Sequence, residues 1–127
     1  MIRRYRYGEP WTTGAIAQPV GLSSEPLPYL TPFICEGKQA WRVALAPEDM
    51  IFGLGEQIRG IDKRGHLYRS WATDDPNQTE TRNSLYGAHN FLLFVREGSA
   101  FGVYFDDPGL ITFDLGYTRM DEAVITS

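Results

Sequence analysis

Asn90-Phe91-Leu92-Leu93-Phe94-Val95-Arg96, Phe101-Gly102-Val103-Tyr104-Phe105 and Leu110-Ile111-Thr112-Phe113-Asp114-Leu115 form three short apolar runs in close succession. Glu97-Gly98-Ser99 and Asp106-Asp107-Pro108-Gly109 stand between them. Both are turn chemistry, with glycine to admit positive φ and Asp or Ser side chains to bond their own backbone. Runs this short, at intervals of roughly ten residues, predict consecutive antiparallel strands. Upstream, Ala40-Trp41-Arg42-Val43-Ala44-Leu45 partly alternates, as a half-buried strand does. Met50-Ile51-Phe52-Gly53-Leu54 follows the turn residues Pro47-Glu48-Asp49, and segment 66–71 reads as another strand. Segment 122–126 is strand-like again. The expected fold is all-β, an antiparallel β-sandwich.

Size and composition agree. The chain has 127 residues, which suits a single domain, 1–127. Thirteen glycines, eight prolines and 13% aromatic residues favour strands and turns over long helices. Five of the prolines precede Cys35 and exclude a long helix there. Residues 1–36 therefore read as an extended Pro-rich arm with one or two short edge strands, and residues 37–127 as the sandwich core. Segment 122–126 reaches the last residue without a closing turn. The sandwich is accordingly expected to be truncated before its last strand or strands, with an exposed edge through which the chain would dimerise.

Charge and motif content exclude several function classes. A net charge of −4 and a pI near 5.1 argue against a general nucleic-acid binder, which needs a basic face to release counterions. No apolar run approaches the roughly 18 residues of a membrane span, and the start, Met1-Ile2-Arg3-Arg4-Tyr5-Arg6, lacks the apolar core of a secretory signal. The single cysteine, Cys35, makes no internal disulfide and no thiolate metal site, so the cytoplasm is the expected compartment. His66 and His89 do not stand at metal-ligand spacing, and no cofactor is expected. The longest polar stretch, residues 73–83, lies between apolar segments. Ordered loops of that length are often functional.

Five motifs in order carry a resemblance: Phe52-Gly53-Leu54-Gly55-Glu56, Asp62-Lys63-Arg64-Gly65, Trp71-Ala72-Thr73-Asp74, Ser84-Leu85-Tyr86-Gly87-Ala88-His89-Asn90-Phe91 and Gly102-Val103-Tyr104-Phe105-Asp106. Phe113-Asp114-Leu115-Gly116 continues them. Over about residues 50 to 120 the chain resembles the N-terminal domain of glycoside hydrolase family 31, and its start is similar to bacterial α-glucosidases of that family. The resemblance implies a galactose-mutarotase-like sandwich beside a (β/α)8 barrel. It implies a retaining α-glucosidase whose two catalytic aspartates lie on the barrel, where paired carboxyl groups stand about 5 Å apart. The barrel is absent from these residues. The fragment alone is therefore expected to be inactive, its partners being that barrel and an α-glucoside or oligosaccharide.

The resemblance also implies that the loop after Trp71 reaches over the barrel mouth and that Asp74 binds sugar. A carboxylate accepts two hydrogen bonds from adjacent hydroxyls. From the residues alone Asp74 reads more readily as a turn-capping Asp of Asp74-Asp75-Pro76-Asn77, and Asp75, a further substrate-binding candidate, reads mainly as the turn former. Trp71 suits a sugar ring or the sandwich edge. Glu56 reads as structural, pairing with Arg59, Arg64 or loop amides, and Asp62 with Arg64 as an ion pair that orders the loop. His89 reads as a hydrogen-bonded strand-end histidine, Tyr86 as packing, and Asn77-Gln78-Thr79 as an incidental glycosylation sequon. The alternative is a free-standing carbohydrate-binding module using Trp11, Trp41 and Trp71, although their spacing shows no common platform.

Overall fold

The computed structural model describes residues 29–127, together with the backbone of two short strands near the start. Those are β1 (Arg3–Tyr5) and β2 (Pro19–Leu22), an antiparallel pair. The rest of the arm, with Trp11, lies outside the described residues. Eight strands follow: β3 (Thr31–Cys35), β4 (Lys38–Ala44), β5 (Met50–Gly55), β6 (His66–Ser70), β7 (Ala88–Arg96), β8 (Ser99–Tyr104), β9 (Ile111–Leu115) and β10 (Glu122–Thr126). No helix occurs among the described residues. They form a five-stranded sheet in the order β3-β4-β10-β9-β6 and a three-stranded sheet in the order β5-β7-β8, all neighbours antiparallel.

Alternation decides which side chains meet between the sheets, because successive residues of a strand point to opposite faces. In β9, Ile111, Phe113 and Leu115 are wholly buried, and Ala123 and Ile125 of β10 join them. Val43 of β4 and Tyr68 of β6 complete that layer. The smaller sheet answers with Ile51, Leu92 and Phe94. One flank is sealed by stacked rings: Phe94 on Phe101 at 4.9 Å between centroids, and Phe101 on Tyr29 at 4.7 Å. The Arg96 guanidinium lies over both Tyr29 and Phe101.

Two expectations are corrected. Segment 122–126 is not an open edge: β10 lies inside its sheet, with Val124 opposite Arg42 on one side and Asp114 on the other. The sheet's edges are β3 and β6. The boundary at 36/37 falls in the β3–β4 turn, so residues 31–35 belong to the five-stranded sheet and not to an arm.

The first motif of the resemblance proves to be a bulge. Gly53, Leu54 and Gly55 all have positive φ, at 125°, 63° and 67°, and the β5–β7 register shifts there. Such an insertion needs glycine where backbones approach closely. A Cβ on Gly53 would lie 2.1 Å from the Phe91 carbonyl oxygen, and one on Gly55 would strike the His89 ring. The bulge buries Leu54 and re-aims the chain, so that the Glu56 carboxylate accepts the Gly87 amide at 2.8 Å.

After the bulge, residues 56–65 run back along the edge of β5. Ile51 donates to Asp62 Oδ1 (3.0 Å) and accepts from the Lys63 amide (2.6 Å), which covers that edge. The expected Asp62–Arg64 ion pair does not form. Asp62 Oδ1 takes the Arg64 backbone amide (3.0 Å), while the Arg64 guanidinium donates to the carbonyls of Ala46, Pro47, Asp49 and Met120. Four turn carbonyls, of which only that of Ala46 also accepts a backbone amide among the described residues (from Asp49, 3.1 Å), outbid one carboxylate already engaged by amides. Lys63 is buried, donates through Nζ to the Arg59 and Gly60 carbonyls, and burial lowers its pKa.

Gly53→Ala is expected to destabilise the protein by more than about 3 kcal/mol, since strain at positive φ adds to a backbone clash. Gly98→Ala, also at positive φ but facing open space, is expected to cost only about 1–2 kcal/mol. Urea unfolding of both variants checks this; equal losses would contradict the assigned bulge.

Candidate functional site

The long polar loop expected over residues 73–83 is longer in space: no strand occurs from residue 71 to 87. It leaves the end of β6, turns, and returns to β7. Arg59 organises it. Its guanidinium donates to the carbonyls of Glu80 (2.9 Å) and Leu67 (3.0 Å) and to Asn83 Oδ1 (3.3 Å), and it lies 5.3 Å from the Tyr68 ring centroid. Backbone bonds tie the returning limb to the outgoing one: Arg69 donates to Asn83 (2.8 Å) and Thr73 to Leu85 (2.9 Å). The Thr73 and Ser84 hydroxyls bond at 2.8 Å, and Leu85 is buried as the anchor. Asn83 thereby covers part of the β6 edge.

At the tip, the two adjacent carboxylates part company. Asp75 accepts the Asn77 amide (2.9 Å) and pairs with Arg82, whose Nε also donates to the Asn77 carbonyl (3.2 Å). Asp75 is therefore the turn former, and its oxygens are engaged within the protein. Asp74 is exposed and makes no hydrogen bond or ion pair with the described residues. Trp71 stands just beyond β6 with 55% of its surface exposed. Among the described residues, then, Asp74 and Trp71 stand exposed on one limb of a pinned loop, while the Asp75 carboxylate is engaged within it.

The surroundings of this loop are also fixed. Ser70 bonds Asn90, and Asn90 donates to the Asp107 carbonyl (3.0 Å). The Ser127 hydroxyl and the Gly109 amide hold the Asp107 carboxyl below the usual carboxylate range. Glu56 is structural as expected, through a loop amide rather than an arginine. His89 differs from expectation: it is exposed, has no hydrogen bond among the described residues, and its ring lies against Gly55. Tyr86, expected to pack, is partly exposed. Trp41 packs on Phe105 at 5.3 Å, so it belongs to the core and forms no platform with Trp71.

A cleft of about 620 Å³ opens on the other limb of the loop, away from Asp74, among Ile58, Arg59, Gly60, His66, Leu67, Glu80, Thr81, Asn83 and Tyr117. These residues come from four separate segments, and no spacing in the sequence announced them. Among the described residues no group of three or more His, Cys, Asp or Glu could hold a metal ion. An acceptor-only carboxylate, an indole face and nearby backbone suit the binding of a neutral, hydroxyl-rich ligand.

Two antiparallel sheets with a long rim loop define an all-β, galactose-mutarotase-like domain. Residues 31–114 match the family model of the glycosyl hydrolase 31 N-terminal galactose mutarotase-like domain. The chain belongs to that family. It is 41% identical over 76 residues to alpha-glucosidase 2 of Bacillus thermoamyloliquefaciens, covering 58% of this chain and 9% of that protein. It is 36% identical over 62 residues to the probable maltase-glucoamylase 2 of Homo sapiens, covering 46% and 2%. Among solved structures, the GH31 dextranase of Flavobacterium johnsoniae superposes with a TM-score of 0.65 at 23% identity, over 76% of this chain and 12% of that one. The cycloalternan-degrading enzyme from Trueperella pyogenes gives 0.68 at 15% identity, over 88% and 18%. The chain thus spans a small part of each relative's length.

Arg59→Ala is expected to cost about 1.5–3 kcal/mol through its lost charged hydrogen bonds. Its more specific effect is on the loop: amide exchange at residues 79–83 should rise at least about tenfold while β9 and β10 stay protected. Unchanged exchange there would show that Arg59 does not hold the loop.

Proposed function

We propose that this chain is the non-catalytic N-terminal domain of a longer, retaining α-glucosidase, and that it lends the loop of residues 71–87 to the sugar-binding cleft of the barrel. Asp74 carries the reading. A carboxylate left exposed beside a neighbour bound into a turn is what a ligand-facing acceptor on a rigid loop requires. Hydrolysis then proceeds on two barrel carboxylates, and the domain contributes position alone. The names of the Bacillus and human relatives support the substrate class.

Packing of the domain on the barrel is supported by the smaller sheet. Its outer face is apolar: Phe91 and Tyr104, directly paired across β7 and β8, are 44% and 65% exposed. The Phe91 ring also lies close over Gly102. Adjacent exposed aromatics on one sheet face fit a protein neighbour. The lone thiol of Cys35 supports a cytoplasmic setting.

Asp74→Ala in the full-length enzyme tests the reading. The specificity constant kcat/KM for maltose or isomaltose is expected to fall about tenfold or more, as for loss of a charged hydrogen bond worth about 1.5–3 kcal/mol. Asp75→Ala should act instead through loop order and thermal stability. Unchanged kinetics for Asp74→Ala would return that residue to a solvent-facing turn.

A further inference from the structure

The cleft on the far limb of the loop is not accounted for by the role given to Asp74. We propose that it is a second saccharide site, which holds a neutral glucan chain beyond the part that Asp74 and Trp71 contact. The inference rests on the carbohydrate reading above and assigns the same loop a second working face. A volume of about 620 Å³ falls in the usual range for small-ligand sites.

The lining decides the ligand class. Arg59 is the cation among the lining residues, and its guanidinium is already bonded to two carbonyls and the Asn83 amide oxygen. A phosphate or other anion would have to break that set. The Glu80 carboxylate, which accepts only, has no hydrogen-bond partner among the described residues, nor do the Asn83 amide nitrogen and the nitrogens of the His66 ring, which meets the Tyr68 ring edge-on at 6.1 Å. Acceptors and donors together, without a free cation, suit hydroxyl groups.

Tyr117 supplies an apolar surface. It is 63% exposed, and its position is set by its own turn, where Asp114 Oδ1 accepts the amides of Tyr117 (2.9 Å) and Thr118 (3.1 Å). An exposed ring held by backbone bonds is ready to stack on the CH face of a pyranose. Ile58, on the limb from which Arg59 reaches in, adds a second apolar wall. The Arg59 bonds that pin the loop therefore also shape the cleft.

The test is an NMR titration of the 15N-labelled chain with isomaltoheptaose and, separately, maltoheptaose. Saturable amide shifts are expected at residues 58–60, 66–67, 80–83 and 117 with at least one of them. Tyr117→Ala should weaken binding about tenfold, the scale of one lost ring contact, while Tyr117→Phe retains it and Ile34→Ala, an exposed β3 side chain outside the cleft, changes it less than about twofold. Shifts confined to residues 71–75, or no shifts up to about 50 mM sugar, would overturn the proposal. So would equal shifts with inorganic phosphate. The outcome is separable from that of the enzyme kinetics: a silent cleft with a defective Asp74→Ala enzyme removes only the second site, and a binding cleft with unchanged Asp74→Ala kinetics removes only the rim role.

Discussion

Two sheets that share no ladder hydrogen bonds are held face to face by side chains alone, and the rest of the molecule depends on that contact. Ile51, Leu92 and Phe94 of the smaller sheet meet Val43, Tyr68, Phe113, Leu115 and Ile125 of the larger, all wholly buried. Each such side chain contributes about 1.5–3 kcal/mol when removed from water. Because the contact has no directional bonds of its own, register matters: a one-residue slip in β9 would place Thr112 and Asp114 in the core. The β5 bulge respects that limit. It changes direction at Gly53-Leu54-Gly55 and still returns Leu54 to the interior.

From this base the loop of residues 71–87 acquires its order by small polar steps. β6 is fixed by β9 on one side, and Arg59 crosses from the segment after the bulge to bind both β6 and the returning limb. Glu56, set by the same bulge, holds the amide of Gly87 where the loop enters β7. The motifs that carry the family resemblance are thus structural supports of the loop more than reacting groups. Within those motifs, the side chains of Asp74 and His89 are exposed and without a hydrogen bond to the described residues.

Local chemistry made much of the fold legible. β7, β8 and β9 lie where apolar runs and Gly, Asp and Pro turns placed them; β7 and β8 pair as a hairpin decided by residues close in sequence, whereas β9 crosses into the other sheet. What stayed hidden was non-local. β10 pairs with β4, some eighty residues earlier, and nothing in Glu122–Thr126 reveals that it is an interior strand. The positive φ of Leu54 belongs to the bulge between Gly53 and Gly55, where Phe91 and His89 crowd the two glycines, and is not announced by leucine. Proximity in sequence points Arg64 to Asp62, whereas four carbonyls from two distant turns converge on it. The division of labour between Asp74 and Asp75 was half legible: the turn-forming role of Asp75 follows from Pro76 and Asn77, but its partner Arg82 does not. The cleft under Tyr117 was not legible at all, since chain reversal assembles it.

The most direct measurement is a crystal structure of the full-length enzyme with isomaltotriose bound. The account predicts an Asp74 carboxylate oxygen within about 3.2 Å of a sugar hydroxyl, the Arg59 bonds to Glu80, Leu67 and Asn83 intact, and Phe91 with Tyr104 covered by the barrel. A loop turned to solvent, with Asp74 far from the sugar, would contradict it.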